Sequence, residues 1–467
     1  MANPRATRTL YAATVDAMLY RAGLVVPMTD DDAVLVDGGV LVDEAGRIAA
    51  VGDGATLERR SPDVAVRRLP NHLLMPGLVN AHCHSGLLRG TAEGLPVWDW
   101  LQQYIDPMHR VLNAAEAEAA SFLCYAEALL SGTTTIVDMW RFMRGSAAAA
   151  RELGIRAILV PYVAEHPDHD YFETLDANEE LIRDVHGEAG GRINVWVGLE
   201  HLFYAVPDAW RRAAAMSRAY GVGLHTHSNE SRFDVEESLK RYGVRPIHAL
   251  ERAGLLDAHR VLLAHCVWLS PDEIALLSER GIGVTHNPVS NMKLASGAAP
   301  VEALIAAGIP VALGTDGEKE NNNLDLFEEM KTASLLAKFS RLDAAALDAW
   351  RICKMATIDG ARALGLEREI GSLEAGKAAD LIAVRTDTPR MTPLLTGTYL
   401  NVHHNLVHAV QGGDVDLTMV AGAIVVDGGE LLSADLHTLI ARVNHLVPDL
   451  FARRAAWLSE HGPAVRR

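Results

Sequence analysis

The sequence predicts an α/β fold in which a distorted (β/α)8 barrel is flanked by a β-sandwich built from the N- and C-terminal segments. In the middle of the chain, short apolar runs alternate with longer stretches of helical periodicity, which is typical of repeated β-α units. Several of these runs end in residues that can bind a metal or move a proton. At both ends of the chain, shorter apolar runs are broken by turn residues, as in antiparallel strands.

The barrel is predicted over residues 76–370, because eight strand candidates fall within this range. They are the runs that begin at Leu78 and Val311, together with 132–138, 157–160, 194–199, 223–226, 261–264 and 283–285. Helical periodicity separates them, at 114–130, 207–220, 235–241, 271–280, 301–307 and 324–337. Ser146 is the predicted N-cap of a further helix, since a run of alanines follows it.

The flanking sandwich is predicted to consist of residues 1–75 and 371–435, and a helical tail is predicted over 436–467. Neither terminal segment is large enough to bury both faces of its own strands, so the two are expected to combine. The strand candidates in these segments are 33–36, 38–42, 47–52, 379–384 and 417–428.

The composition is that of a globular protein with an acidic balance. Of the 467 residues 49% are hydrophobic, and 60 acidic against 43 basic side chains give a formal net charge of -17, which disfavours nucleic-acid and anionic-membrane partners. The four cysteines are widely spaced, which predicts neither a disulfide framework nor a thiolate zinc site and favours a cytoplasmic location. No signal peptide is expected in residues 1–26, where Asp16 and Arg21 interrupt the apolar residues, and no apolar run predicts a membrane span.

Two histidines, His82 and His84, end the apolar run 76–84. In an extended strand alternate side chains point to the same face, so the two imidazoles would point together, as a pair of metal ligands must. Because parallel strands of a barrel present their carboxyl ends at one face, residues that end other runs are expected in the same site. These residues are His225, His227, Glu230, His265 and Asp316.

These motifs resemble those of the amidohydrolase superfamily. The sequence is most similar to its aminohydrolase branch, and within it to the methylthioadenosine/S-adenosylhomocysteine deaminases, with the triazine hydrolases also related. The resemblance implies a distorted (β/α)8 TIM barrel and a metal-dependent hydrolase that acts on C–N bonds other than peptide bonds. The matching stretches are 77–84, 264–267, 286–294, 314–317, 321–323 and 405–409.

The resemblance implies one divalent metal, either Zn²⁺ or Fe²⁺. His225 lies on the same face of its strand as His227, and His227 is preferred because Glu230 follows it at the spacing found in the family. His225 is then expected to be a buried, hydrogen-bonded histidine. The implied metal ligands are His82, His84, His227 and Asp316.

Catalytic residues follow from the same resemblance. A hydroxide on the metal would attack the ring carbon that carries the amino group. Glu230 would take a proton from the water and pass it to a ring nitrogen, and Asp316 would return the proton of the new hydroxyl to the leaving ammonia. His265 would form a hydrogen bond with the attacking oxygen.

Three further residues are expected to bind the substrate. His201 corresponds to a histidine that contacts the heterocycle, and Trp100 corresponds to a tryptophan of the pocket wall, whereas Trp98 is expected only to pack. His109 falls about where nucleoside deaminases have a glutamate that holds the ribose hydroxyls, although a neutral imidazole offers a single acceptor. The segment 160–162 lacks the arginine expected to bind a homocysteine carboxylate.

The sequence therefore predicts a deaminase of an amino-substituted purine, pterin, pyrimidine or triazine that releases ammonia. The alternatives are hydrolytic removal of chloride or an alkylamine from an s-triazine, and a non-catalytic ligand-binding barrel, which would be expected to lack one of the residues above. The expected partners are a small heterocyclic substrate and further copies of the chain. Nucleic acid is not expected, because the motifs of the zinc-dependent nucleic-acid deaminases are missing. The charged run 318–320 is expected at the pocket rim or in water.

Overall fold

The computed structural model describes residues 16–29 and 32–462. Residues 1–15 belong to the range in which no signal peptide is expected, and residues 463–467 end the predicted helical tail, so both of these predictions extend outside the described residues. Within the described ranges, none of the helices combines the length and the apolar character needed to cross a membrane.

Parallel strands occupy the middle of the chain, and the predicted α/β class is confirmed. Trp196 connects two parallel sheets, because its N–H donates to Leu159 O at 3.0 Å while the N–H of Val197 donates to Gly223 O at 2.9 Å. The four-stranded sheet consists of Leu78–Cys83, Thr133–Trp140, Arg156–Pro161 and Ile193–Val195. The five-stranded sheet consists of Val197–His201, Leu224–Ser228, Val261–His265, Gly283–His286 and Val311–Leu313.

The ends of the first and last parallel strands lie beside each other. Beyond the strand Val311–Leu313, the N–H of Asp316 donates to the carbonyl oxygen of His82 at 3.0 Å. Gly314 permits this approach, because a Cβ at that position would lie 2.5 Å from Asn287 Oδ1 and 2.9 Å from His82 Cβ. The connection brings Asp316 to the carboxyl end of the strand that carries the first histidine pair.

Helices separate the parallel strands, and several begin and end where the periodicity predicts. The prediction of Ser146 as an N-cap is wrong: helix Met143–Leu153 begins earlier, and the buried hydroxyl of Ser146 is instead paired with the Ser121 hydroxyl at 2.8 Å. The α-helices are Gly54–Arg60, Val97–Trp100, Asp106–Val111, Ala114–Leu130, Met143–Leu153, Leu175–Val185, Glu188–Gly191, Pro207–Tyr220, Arg232–Tyr242, Pro246–Arg252, Pro271–Glu279, Pro288–Lys293, Val301–Ala306, Leu326–Arg341, Ala349–Met355, Ile358–Leu364, Val402–His408 and Leu436–His461.

The two terminal segments combine into a single nine-stranded sheet. Ala65–Pro76 joins them, because it lies parallel to Met18–Val25 and antiparallel to Leu381–Arg385. Side chains from both segments share a small hydrophobic core that is distinct from the main one. The strands are Met18–Val25, Leu35–Val36, Gly38–Val42, Ile48–Asp53, Ala65–Pro76, Leu381–Arg385, Val415–Val420, Ala423–Asp427 and Glu430–Leu431.

A buried ion pair connects the parallel strands to the terminal sheet. The guanidinium of Arg156 donates to both carboxylate oxygens of Asp380, at 2.9 and 3.1 Å, and both side chains are buried. Removing one partner leaves a buried charge uncompensated, so we expect Asp380→Asn to lower the free energy of unfolding by about 3–5 kcal/mol in denaturant titrations. The half-exposed pair of Arg67 and Asp427 is the control, and Asp427→Asn should cost less than about 1 kcal/mol. Equal losses in the two variants would contradict this account.

Candidate active site and metal centre

Side chains from the carboxyl ends of several parallel strands converge on one buried point. The Nε2 atoms of His82 and His84 lie 3.4 and 3.3 Å from Asp316 Oδ1, and His84 Nε2 lies 3.1 Å from His227 Nε2. Among the described residues, two sets have ligand atoms within 4.8 Å of one another, namely His82 with His84 and His227, and His82 with His265 and Asp316. The structure therefore brings together the four residues that the sequence proposes as metal ligands.

Main-chain carbonyls of neighbouring strands fix the tautomers of two of these histidines. The Nδ1–H of His84 donates to Met139 O, and the Nδ1–H of His227 donates to Glu200 O, each at 2.6 Å. Burial holds the pKa of both histidines well below the usual range, so the other nitrogen of each neutral ring carries a lone pair. The two Nε2 lone pairs face each other at 3.1 Å, and a cation bound by both would relieve their repulsion.

His225 holds His82 rather than pointing into the centre. Its Nδ1–H donates to Leu262 O at 2.9 Å, so its Nε2 accepts the Nδ1–H of His82 at 2.8 Å. The Nε2 of His82 is then an acceptor, and this buried atom has no hydrogen-bond partner among the described residues. Three imidazole nitrogens and the Asp316 carboxylate thus form a donor set that fits Zn²⁺. The structure places His227, and not His225, at this centre.

The contact between His225 and His82 predicts an indirect effect on metal affinity. We expect His225→Phe to weaken metal binding about 10–100-fold, because the Nδ1–H of His82 loses the acceptor that orients its ring. Competition with a chromophoric chelator measures the affinity. His286→Phe is the control, since His286 is equally buried but belongs to neither set of candidate ligands. An unchanged affinity in His225→Phe would show that the contact is dispensable.

Asp316 and His265 adopt strained backbone conformations. Their φ angles are 60° and 71°, in the left-handed region that costs a non-glycine residue about 1–3 kcal/mol and is enriched at functional sites. The Asp316 carboxylate accepts the Ser290 hydroxyl at 2.6 Å and the N–H of Gly317 at 2.9 Å. Burial alone would raise the pKa of Asp316, but the adjacent histidines, first among them His82, hold it well below the usual range. The carboxylate is therefore ionised.

Glu230 and His265 lie near each other at the centre, and the pKa of each is shifted. His265 Nε2 lies 3.9 Å from Glu230 Oε2 and 3.6 Å from Asp316 Oδ2, while its Nδ1–H donates to Asn291 Oδ1 at 2.9 Å. Burial raises the pKa of Glu230 to about 7. Burial would lower the pKa of His265, but Glu230 and Asp316 outweigh it and raise that pKa. Both groups are thus suited to general acid–base catalysis.

A small cavity adjoins the centre, with aromatic and acidic walls. Trp98 belongs to its wall, so the expectation that Trp98 only packs is wrong. Its Nε1–H donates to Asp234 Oδ1 at 2.7 Å, and Asp234 also completes the capping box that begins helix Arg232–Tyr242 directly after Glu230. The lining residues are Val97, Trp98, Trp100, Leu101, Tyr162, Glu200, His201, His227, Glu230, His265, Leu294, Asp316 and Glu320.

Two of the three residues expected to bind substrate line this cavity. His201 Nδ1 accepts the N–H of Phe203 at 3.2 Å. Trp100 is held by a hydrogen bond that its Nε1–H donates to the carbonyl oxygen of Ala92 at 3.0 Å. The structure does not bring His109 to the cavity wall. Its ring stacks on Tyr162 with centroids 5.1 Å apart, and Tyr162 itself forms the wall.

Sequence reasoning missed two acidic residues of the cavity wall. Glu200 ends an apolar run in the parallel strand Val197–His201, which is the same signal that identified the histidines. Glu320 was expected at the rim or in water, yet the whole run 318–320 is buried. Its charges are compensated inside the protein, because Lys319 Nζ lies 3.0 Å from Glu320 Oε1 and Glu318 accepts the N–H of Leu88 at 2.9 Å.

Comparisons with known proteins place the chain in a family. The model described as "Amidohydrolase family" matches residues 73–425. A 5-methylthioadenosine/S-adenosylhomocysteine deaminase of Moorella thermoacetica is 40% identical over 428 residues, which cover 91% of this chain and 98% of that protein. These two matches confirm the resemblance that the motifs indicate.

Solved structures of related enzymes support the same family assignment. An adenosine deaminase from Xanthomonas campestris with bound zinc superposes with a TM-score of 0.87 at 33% identity, covering 94% of this chain and 99% of its own. A zinc complex of an atrazine chlorohydrolase from Arthrobacter aurescens superposes with a TM-score of 0.84 at 25% identity, covering 92% of this chain and 100% of its own. The chain therefore belongs to the amidohydrolase family, and its deaminase relatives indicate that it is a hydrolase acting on carbon–nitrogen bonds.

Proposed function

We propose that the protein is a metal-dependent deaminase of an amino-substituted nitrogen heterocycle. The observation that carries the proposal is the convergence of three imidazole Nε2 atoms and the Asp316 carboxylate beside the Glu230 and His265 pair. The names of its relatives, a methylthioadenosine/S-adenosylhomocysteine deaminase and an adenosine deaminase, support an amino-purine ring as the first substrate class to test.

We assign one divalent metal to the centre. The zinc bound by the Xanthomonas campestris neighbour and the nitrogen-rich donor set favour Zn²⁺, and Fe²⁺ is also compatible with this set. When bound, the ion would lower the pKa of a water molecule so that hydroxide is available at neutral pH. The ligands are His82, His84, His227 and Asp316.

The protein's own residues handle the protons in this proposal. Glu230 takes a proton from the attacking water and delivers it to a ring nitrogen. In its charged form His265 has a proton on both ring nitrogens, so Nδ1–H donates to Asn291 while Nε2–H donates a hydrogen bond to the oxygen that adds to the ring. Asp316 takes the proton of the new hydroxyl and returns it to the departing amine. One water is consumed, ammonia leaves, and the ring keeps a carbonyl group.

A substrate panel tests this function. Metal-loaded protein is incubated with amino-purines, nucleosides, pterins and amino-, alkylamino- and chloro-substituted triazines, and the released ammonia, alkylamine and chloride are measured. Ammonia release supports the proposal. Release of chloride or alkylamine alone would favour the alternative suggested by the likeness to an atrazine chlorohydrolase. Binding without turnover would favour a non-catalytic barrel.

The pKa of Glu230 predicts the acid side of the pH profile. Burial raises this pKa to about 7, and only the ionised carboxylate can accept a proton from water. We therefore expect kcat/KM to fall about tenfold per pH unit below about pH 7. The metal content at each pH is the control, because the histidine ligands release metal when they are protonated. A flat profile well below pH 7 in fully loaded protein would contradict the assignment of Glu230 as the base.

We also propose that the parallel strands close into the distorted (β/α)8 barrel over residues 76–370. The hydrogen bond from the Asp316 N–H to His82 O supports this closure. The shared sheet and core support a composite flanking β-sandwich of residues 1–75 and 371–435, followed by a helical tail over 436–467. We also predict that the chain assembles with further copies of itself, which light scattering would test. A cytoplasmic location stays a prediction.

A further inference from the structure

Two buried carboxyl groups in the cavity have no role in the proposed mechanism. Glu200 and Glu320 are each 4% exposed, and they line the same cavity as Glu230 and Asp316. Among the described residues that line this cavity, none is an arginine or a lysine. The wall is therefore richer in hydrogen-bond acceptors than the proposed chemistry requires.

One oxygen of each of these two groups has no partner. Among the described residues, nothing donates a hydrogen bond to Oε2 of Glu200 or to Oε2 of Glu320. Their other oxygens are engaged, because Glu200 Oε1 accepts the Tyr162 hydroxyl at 3.3 Å and Glu320 Oε1 lies 3.0 Å from Lys319 Nζ. Buried polar atoms of folded proteins are nearly always hydrogen-bonded, so two carboxyl oxygens without a partner on one cavity indicate hydrogen-bonding groups that arrive with a ligand.

The remaining wall favours a flat and compact ring. Trp98, Trp100 and Tyr162 provide aromatic surface, and the free volume of the cavity is about 30 Å³, which is room for about one water molecule. A bare heterocycle is closer to this volume than a nucleoside is. The donors are therefore expected on the ring itself.

We propose that Glu200 and Glu320 are specificity-determining residues that accept hydrogen bonds from a second amino or amidinium group of the substrate. The preferred substrates are then heterocycles that carry a further amino group besides the one that leaves. This inference rests on the proposed deaminase function. A carboxylate-bearing substrate is disfavoured by the same side chains, because it would meet acidic groups and no lining cation.

The test compares kcat/KM for adenine, 2,6-diaminopurine and adenosine in the wild type, in Glu200→Gln and in Glu320→Gln, all loaded with zinc. We expect the wild type to prefer the diamino ring over adenine by at least about tenfold, because acceptors built for a substrate N–H reject an analogue that lacks it. Each glutamine variant should lose most of this preference for the diamino ring while its metal content stays near the wild-type value.

Glu318→Gln is the matched control. Glu318 is buried in the same tripeptide as Glu320, but it accepts the N–H of Leu88 and does not line the cavity. The ratio of kcat/KM for 2,6-diaminopurine to kcat/KM for adenine should be the same in Glu318→Gln as in the wild type. Glu200 lies on the strand Val197–His201, outside the run 318–320, so Glu200→Gln still tests the proposal if Glu320→Gln does not fold because Lys319 has lost its partner.

Three outcomes would overturn the inference, and they are distinguishable. Wild-type ratios in both Glu200→Gln and Glu320→Gln would show that these carboxyl groups do not select the substrate. A loss confined to adenosine would identify ribose hydroxyls as the donors and refute a second ring amino group. If the zinc-loaded wild type releases ammonia from none of the amino heterocycles, the proposed function itself fails, and the specificity proposal fails with it.

Discussion

Replacement of His84 by alanine is expected to abolish both metal binding and turnover. His84 has the central position among the candidate ligands, because its Nε2 lies 3.1 Å from His227 Nε2 and 3.3 Å from Asp316 Oδ1. Without it the four proposed ligands fall to two nitrogens and one oxygen. We expect metal content to fall from about one ion per chain to near zero.

Turnover of the His84→Ala variant should fall at least about a thousandfold, because the ion contributes several kcal/mol of transition-state stabilisation. Elemental analysis of the purified protein and ammonia release under saturating substrate measure the two effects. His286→Phe, which removes a buried histidine outside the candidate ligand sets, should keep both properties. Full activity of metal-free His84→Ala would remove the basis of the proposed mechanism.

Glu230→Gln is expected to separate metal binding from catalysis. Glutamine has nearly the same shape as glutamate, and its side-chain oxygen can still accept the Ser296 hydroxyl that now bonds Glu230 Oε1 at 3.2 Å. The centre should therefore keep its metal. Turnover should fall about 10²–10⁴-fold, because an amide can neither take the proton from water nor pass it to the ring nitrogen.

The pH profile supplies a second readout for Glu230→Gln. The acid limb expected near pH 7 in the wild type comes from this carboxyl group, so the residual activity of the variant should lack it. A variant with the same limb and full turnover would assign the proton transfer to another group. Loss of the metal from Glu230→Gln would instead show that Glu230 stabilises the metal centre.

The strand ends that form the site could be predicted because a local pattern encodes them. His82 and His84 are two residues apart, which places them on one face of a strand. Glu230 follows His227 at the spacing found in the family. Parallel strands then place their carboxyl ends at one face, so residues far apart in sequence meet without any further local signal. Glu200 also ends an apolar run in a parallel strand, so this signal would have justified a prediction for it.

Other features depend on tertiary contacts that no local pattern reveals. The role of His225 depends on the hydrogen bond that its Nε2 accepts from His82 Nδ1–H. Glu320 is buried beside Lys319, with which it forms an ion pair. Trp98 reaches the cavity because Asp234, at the start of a distant helix, accepts its indole N–H. Such contacts become visible only when the strands and helices have been assembled.

X-ray absorption at the zinc edge of the zinc-loaded protein tests the central claim most directly. The account predicts about three imidazole nitrogens at about 2.0–2.1 Å and carboxylate or water oxygen at about 2.0–2.2 Å, with loss of the bound zinc in His84→Ala. A first shell that contains sulfur at about 2.3 Å, or one without imidazole scattering, would contradict it.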